Sequence, residues 1–230
     1  MELDFTPFFK KYEQVVNAAD TAFERIKKEY PEHVRCKITC SDCCYAMFDL
    51  GLVEAVYINH KFHQHFEGSL KQALLEEANR ADRKAYQIKR QAHNYLHAGK
   101  NEVEILSNIG AERIRCPLLS NDQNCKLYAH RPVTCRLYGL PISISGMSHT
   151  CGKTGFEEGK SYPTVYLEKI QQQLDKISRE LAQSLETRYT GMAEMLVPLS
   201  MALLTVYDEE YLGISSPQSE NEKTAEVKDD

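Results

Sequence analysis

Residues 116–138 read CPLLSNDQNCKLYAHRPVTCRLY. They open a segment, 116–160, that holds Pro117, Pro132, Pro141 and five glycines. Such punctuation gives loops and short turns rather than long helices or strands. An irregular segment of this length inside a globular chain needs something to order it. Four of the eight cysteines lie in it, at Cys116, Cys125, Cys135 and Cys151. A metal clasp, whose binding energy offsets the entropy of ordering the loops, is the reading these residues point to.

On both sides of this segment the pattern is helical. Toward the N-terminus, 102–113 reads as a short helix. Residues 69–98 form a long charged one with a thin apolar line of Leu70, Leu74, Ala78, Ala81, Ala85 and Ile88, closed by Gly99. Residues 50–66 place Leu52, Val53, Val56, Tyr57 and Phe62 at helical spacing, with Gly68 as the break. Residues 8–29 contain no Gly or Pro and space Phe8, Tyr12, Val15, Val16, Ala19, Phe23 and Ile26 at three and four; Pro31 ends the run. Toward the C-terminus, 163–190 carries a stripe of Ile170, Leu174, Ile177, Leu181 and Leu185, with Pro163 suited to its first turn. That stripe fits a helix packed on its own chain better than a homodimer face, because it spans too few heptads for a coiled coil. A last apolar helix is expected over 192–207, kinked or started near Pro198. No β-alternation of useful length and no internal repeat is visible.

The fold class read from this pattern is mainly α. It is a single helical domain with a Cys-rich, irregular, metal-clasped segment and a long C-terminal helix. Its expected parts are an N-terminal helix (1–35), a Cys-cluster region with inserted helices (36–160), C-terminal helices (161–212) and a disordered acidic tail (213–230).

The 230 residues suffice for one real core, and a hydrophobic fraction of 42% marks the chain as globular. The net charge is −5, yet residues 208–230 hold eight acidic and two basic residues, so the rest of the chain is near +1. No basic stripe of the size a nucleic-acid binder needs is present. The first residues lack the apolar core of a secretory signal. The longest apolar run, 192–207, contains Glu194 and Pro198 and is too short to span a bilayer. A soluble cytoplasmic protein is expected, without nucleic acid or membrane as partner. Thiols stay reduced in that compartment, so eight cysteines call for a reason other than disulfides.

All eight fall into two groups: Cys36, Cys40, Cys43 and Cys44, then Cys116, Cys125, Cys135 and Cys151. Cysteines used as small core hydrophobes would be scattered through the helices instead. Four thiolates suit zinc or an iron–sulfur cluster. The neighbouring side chains of Cys43 and Cys44 diverge, so the pair serves two metals, or one metal and a further role, more easily than one metal. Cys36-x3-Cys40-x2-Cys43 has the spacing of the radical-SAM cluster motif. Here, however, a helix precedes it, Asp42 stands where an aromatic residue is usual, and βα alternation is absent. A zinc ribbon would need two CxxC knuckles, whereas the second group is spaced by 9, 10 and 16.

Cys36, Cys40-x2-Cys43-Cys44 and Cys116-Pro-Leu-Leu are followed by Cys125-Lys-Leu-Tyr128-x2-Arg131-Pro132-x2-Cys135-Arg136-x-Tyr138. This order of phrases resembles the CxxCxxCC family, also called YkgJ-like, of zinc- or iron-chelating proteins. The resemblance covers roughly 36–155. It departs in the first spacing, which is three residues here where the family name has two. It implies a metal- or iron–sulfur-binding module. Some relatives, the flagellin lysine methylases, share the cysteine pattern and methylate protein lysines with S-adenosylmethionine. Cysteines alone do not carry that activity over, and no GxGxxG loop is present.

Other residues beside the cysteines have two uses each. Arg131 and Arg136 either satisfy loop carbonyls, or compensate a thiolate-rich site or anchor an acidic substrate. Tyr128 and Tyr138 read as packing. His60, His63 and His65 lack the i, i+4 spacing of a metal pair and read as a solvated face. His149 is a candidate ligand. Asp42 and Asp49 are candidate supports for the first group, with Asp49 the expected cap of the helix from Leu50.

The function expected is metal binding, with an iron–sulfur cluster (4Fe–4S favoured) over zinc, for a redox or protein-modifying task on an unidentified protein partner. The alternatives are a structural zinc module and an S-adenosylmethionine-dependent protein lysine methyltransferase. Whether the chain is an enzyme is not decided by its sequence. Cys40, Cys43, Cys116, Cys125 and Cys135 are the central ligand candidates. Cys36, Cys44 and Cys151 decide between one centre and two.

Overall fold

The computed structural model describes residues 3–144 and 146–214, and it is mainly α. The first helix, α1 (Thr6–Glu29), starts where the Asp4 carboxylate accepts from the Thr6 N–H at 2.9 Å and Pro7 occupies the first turn. It ends with Lys27 and Lys28 in its last turn, just before Pro31. Its buried face is Phe9, Tyr12, Val15, Val16, Ala19 and Ile26. Each large apolar side chain removed from water there contributes about 1.5–3 kcal/mol.

Three further helices follow the sequence pattern closely: α2 (Leu52–His65), α3 (Gly68–His97) and α4 (Glu102–Ala111); a fourth, α5 (Val133–Leu137), is a short helix inside the Cys-rich segment, where loops and turns were expected. The Asn101 side chain caps α4 by accepting from the Glu104 N–H at 3.1 Å. Gly99, at φ +74°, takes the left-handed conformation that ends α3. Helix α6 (Leu167–Ser184) buries Leu174, Ile177 and Leu181 in the core and packs on α1 and α2. Helix α7 (Leu199–Leu204) packs on α2 and α3, and the Asn59 amide on α2 donates to the Ala202 and Thr205 carbonyls at 2.9 Å.

The C-terminal part departs from the expected boundaries. Helix α6 starts at Leu167, not Pro163, because β4 (Val165–Tyr166) first pairs in parallel with β2 (Ile142–Ile144). β2 also pairs antiparallel with β3 (Met147–His149). The single helix expected over 192–207 is instead a 3-10 turn (Met192–Glu194), a strand, β5 (Leu196–Pro198), and α7. Pro198 has no N–H to give a helix interior, so it ends the strand and enters the helix that follows. β5 pairs antiparallel with β1 (Asp49–Gly51), in the register Leu50 opposite Val197. Asp49 is therefore a strand residue and not a helix cap; Gly51 precedes α2, and the Asp49 carboxylate accepts from the Lys89 ammonium at 2.6 and 2.7 Å. Of the acidic tail, residues 215–230 lie outside the described residues. Among the described residues no helix is long and apolar enough to cross a membrane.

Candidate metal centre

Local turns shape each cysteine stretch. After α1 the chain reverses through His33 and Val34, whose N–H groups donate to the Tyr30 carbonyl, and it reaches Cys36. The Cys40 N–H donates to the Lys37 carbonyl at 2.8 Å, and a 3-10 turn (Asp42–Tyr45) carries Cys43 and Cys44. In the second stretch, Ser120 donates to the Asn124 carbonyl and Lys126 to the Leu118 carbonyl, each at 2.8 Å. With Leu119 bridged to Cys125, this small hairpin brings Cys125 back toward Cys116. Helix α5 carries Cys135, and Cys151 follows β3.

Backbone bonds then join the stretches. The Ile114 N–H donates to the Tyr45 carbonyl at 3.1 Å. The Gly155 N–H and the Thr154 hydroxyl both donate to the His33 carbonyl, at 2.8 and 2.9 Å, which sets 151–155 against the turn before Cys36. Gly139 stands where a Cβ would meet the Cys36 sulfur at 2.0 Å, so only glycine lets that sulfur approach the end of α5.

The outcome is one cavity of ≈ 120 Å³ whose walls include all eight cysteines. All eight are free thiols, with Cys44 and Cys151 each 8% exposed. The charged side chains on the wall are Lys37, Arg115, Arg131 and Arg136; among the described residues no Asp or Glu lines it. That composition suits a site whose inner wall offers sulfur as its acidic donor.

The sulfurs interact in pairs rather than as a finished coordination shell. Among the described residues, no three His, Cys, Asp or Glu side chains already converge in ion-holding geometry. The acidity of the Cys43 thiol is strengthened, first by hydrogen bonding with the Cys135 thiol and then with that of Cys44. Cys135 is pushed up, by that same bond and then by burial. The bond between Cys44 and Cys116 pushes Cys44 up and Cys116 down. Burial pushes Cys36 up to about 12 and Cys125 up to about 11. A protonated thiol donates to its neighbour; once its proton leaves, the same sulfur lone pair is available to a metal. The soft donors present fit zinc or iron held by thiolate.

The structure separates the two arginines. Arg136 is 5% exposed and fully occupied: it pairs with Asp20 on α1, and it donates to the Arg131 carbonyl at 3.0 Å and to the Ala129 carbonyl. Arg131 lies 4.0 Å over the Tyr128 ring, and its charge favours the thiolate at Cys43, Cys36 and Cys125. Tyr128 and Tyr138 both line the cavity. Asp42 supports Cys151, whose thiol donates to its carboxylate at 3.3 Å, and it pairs with Arg113 at 2.9 Å and Lys153 at 3.5 Å. His149 is exposed on β3 and does not line the cavity. His60, His63 and His65 are exposed on α2 and do not line it either.

Sequence reasoning missed Glu54. It is 3% exposed, and its carboxylate accepts from the Tyr12 hydroxyl at 2.7 Å and from the Val133 N–H at 2.9 Å. A glutamate within the apolar run Leu52–Ile58 was the available signal.

No curated protein and no solved structure matches the chain. A family model does, over residues 35–152, and its description is "putative zinc- or iron-chelating domain". With the match spanning half of the sequence and containing all eight cysteines, this chain belongs to the CxxCxxCC family of zinc- or iron-chelating domains.

Proposed function

We propose that this protein holds metal through thiolates drawn from Cys36, Cys40, Cys43, Cys44, Cys116, Cys125, Cys135 and Cys151, with iron–sulfur chemistry of the 4Fe–4S type, in which each cluster takes four of them. The observation that carries the reading is the gathering of all eight thiols on one cavity wall, with Asp42 touching one of them, Cys151, from outside it. Eight sulfurs exceed the four that one structural zinc takes and supply two sets of four, and 4Fe–4S chemistry uses thiolate donors alone. A bound cluster supplies one-electron transfer. The chain's own residues hold the sulfurs apart from bulk water, balance their charge through Arg131, and order the 116–160 segment. The task is redox or protein modification on a protein partner in the cytoplasm, where thiols remain reduced.

A structural zinc centre is the second reading, favoured by the irregular backbone of 116–160, which an ion would order. Anaerobic purification followed by metal analysis and an optical spectrum separates the two. Broad visible absorption with iron and acid-labile sulfide is the expected result. A colourless protein with stoichiometric zinc rejects the iron–sulfur reading, and a metal-free protein rejects both.

A further inference from the structure

Glu54 stands in the middle of Leu52-Val53-Glu54-Ala55-Val56-Tyr57-Ile58, and these neighbours are buried with it. A carboxylate stripped of water is costly unless donors meet it. A leucine or methionine would fill the same space without that cost. What only an acceptor supplies is a fixed direction to the Val133 N–H, 2.9 Å away.

Val133 is the first residue of α5, and Cys135 is the third. The N–H groups of a first turn have no acceptor inside their own helix. A helix of five residues is also too short to keep its place unaided. Glu54 supplies the missing acceptor from α2, and the Tyr12 hydroxyl on α1 donates to the same carboxylate oxygen at 2.7 Å and restrains it. At the far end of α5, Arg136 reaches Asp20 on α1 and the carbonyls of Ala129 and Arg131. The turn that carries Cys135 is therefore held at both ends by α1 and α2, two helices that contain no cysteine.

We infer that Glu54 is a positioning residue for the metal centre, setting the Cys135 sulfur through the Val133 N–H, with Tyr12 fixing its carboxylate. The inference rests on Cys135 being a ligand, as proposed above. Supports of this kind around ligands are worth about 10–100-fold in metal affinity.

The test follows metal release from the as-purified full chain to an excess of chelator, beside its thermal unfolding and visible spectrum. Glu54→Ala is expected to release metal about tenfold faster or more and to shift the spectrum. Glu54→Gln keeps a carbonyl oxygen for both donors and is expected to stay within about threefold of the unaltered chain. Leu181→Ala, in the core away from the cavity, controls for stability: it is expected to lower the melting temperature comparably and to leave the release rate and spectrum unchanged. Should Glu54→Ala not accumulate, Tyr12→Phe replaces it, with a several-fold faster release expected. Release at the unaltered rate from Glu54→Ala or Tyr12→Phe overturns the inference. So does equal acceleration by Leu181→Ala. Cys135→Ser separates the two levels: unchanged metal content there sinks the ligand assignment, whereas lost metal there with an inert Glu54→Ala sinks the positioning role alone.

Discussion

The Cys116 N–H donates to the Cys44 carbonyl at 2.7 Å, so the two cysteine stretches are joined by backbone before any metal is considered. Each thiol shifts the acidity of the other, Cys44 up and Cys116 down. The main chain thus fixes one register between segments far apart in sequence.

Removing ligands should therefore affect order unevenly. Cys125→Ala and Cys135→Ala are each expected to lose at least half of the bound metal. The melting temperature should fall by more than about 10 °C, since structural metal is worth about 10 kcal/mol or more and each kcal/mol moves a chain of this size by roughly 2–4 °C. Hydrogen exchange should quicken across 116–160 and stay slow in α1, α2 and α6. Unchanged metal content and stability in both variants would show that the two-stretch clasp is wrong.

Metal loading should weaken as the pH falls. Cys36 and Cys125, raised by burial to about 12 and about 11, each give up a proton when a metal takes the thiolate. Each such proton costs about tenfold in apparent affinity per pH unit. The metal-free chain responds in the opposite sense. Both raised thiols exceed the ordinary value of 9.0, so their stabilising contribution is complete below pH 9 and is lost as the pH rises through 11–12. Competition titrations between pH 6 and 8, with denaturation of the stripped chain at pH 8 and 10.5, read both slopes. A flat loading curve would contradict the thiol assignment.

Asp42 should govern the reactivity of Cys151. Burial pushes the Cys151 thiol up, and so do its hydrogen bond to Asp42 and that carboxylate's charge. Asp42→Asn removes the charge, so alkylation of Cys151 in the metal-free chain at pH 8 is expected to quicken about threefold or more. Its cost in stability should stay within about 1 kcal/mol, because Arg113 and Lys153 are exposed partners. Peptide mass spectrometry after timed alkylation measures the rate, and slower labelling of Cys151 would refute the link.

Gly139→Ala should act on one cysteine of the cavity, Cys36. The added methyl would overlap the Cys36 sulfur, which must then turn away. A cost of about 1–3 kcal/mol is expected, as for overpacking elsewhere. Cys36 should become more accessible to thiol reagents while Cys125 and Cys135 do not. Uniform exposure of all the cysteines would mean that the glycine serves the whole segment instead.

Much of the helical frame was legible because long amphipathic segments announce themselves. The spacing of Phe8, Tyr12, Val16 and Ala19 gives α1, although Phe9 is buried there rather than Phe8, and Gly99 marks the end of α3. The short strands were not legible. Three residues cannot display a period, and β1 exists only because β5, more than 140 positions later, lies beside it. Asp49 was misread as a cap for that reason. The cysteine grouping was visible as composition, but the partners of those cysteines were not. Asp42 was a visible candidate beside the first group, but its partner, Cys151 of the second, was not; Arg113, Gly139 and Glu54 gain their roles from contacts that no local pattern encodes.

The bond between Cys44 and Cys116 also sets an order of events during synthesis. The two residues are 72 positions apart. At about 5–20 residues per second, a nascent chain carries its first four thiols for roughly 4–14 s before Cys116 is even made. During that interval Cys36, Cys40, Cys43 and Cys44 have no second stretch to meet, and any metal or oxidant that arrives finds an incomplete set. Correct loading of this fold therefore waits for the second stretch, and the cell's control over free metal and oxidants in those seconds bears directly on how much of the chain keeps its first four thiols intact.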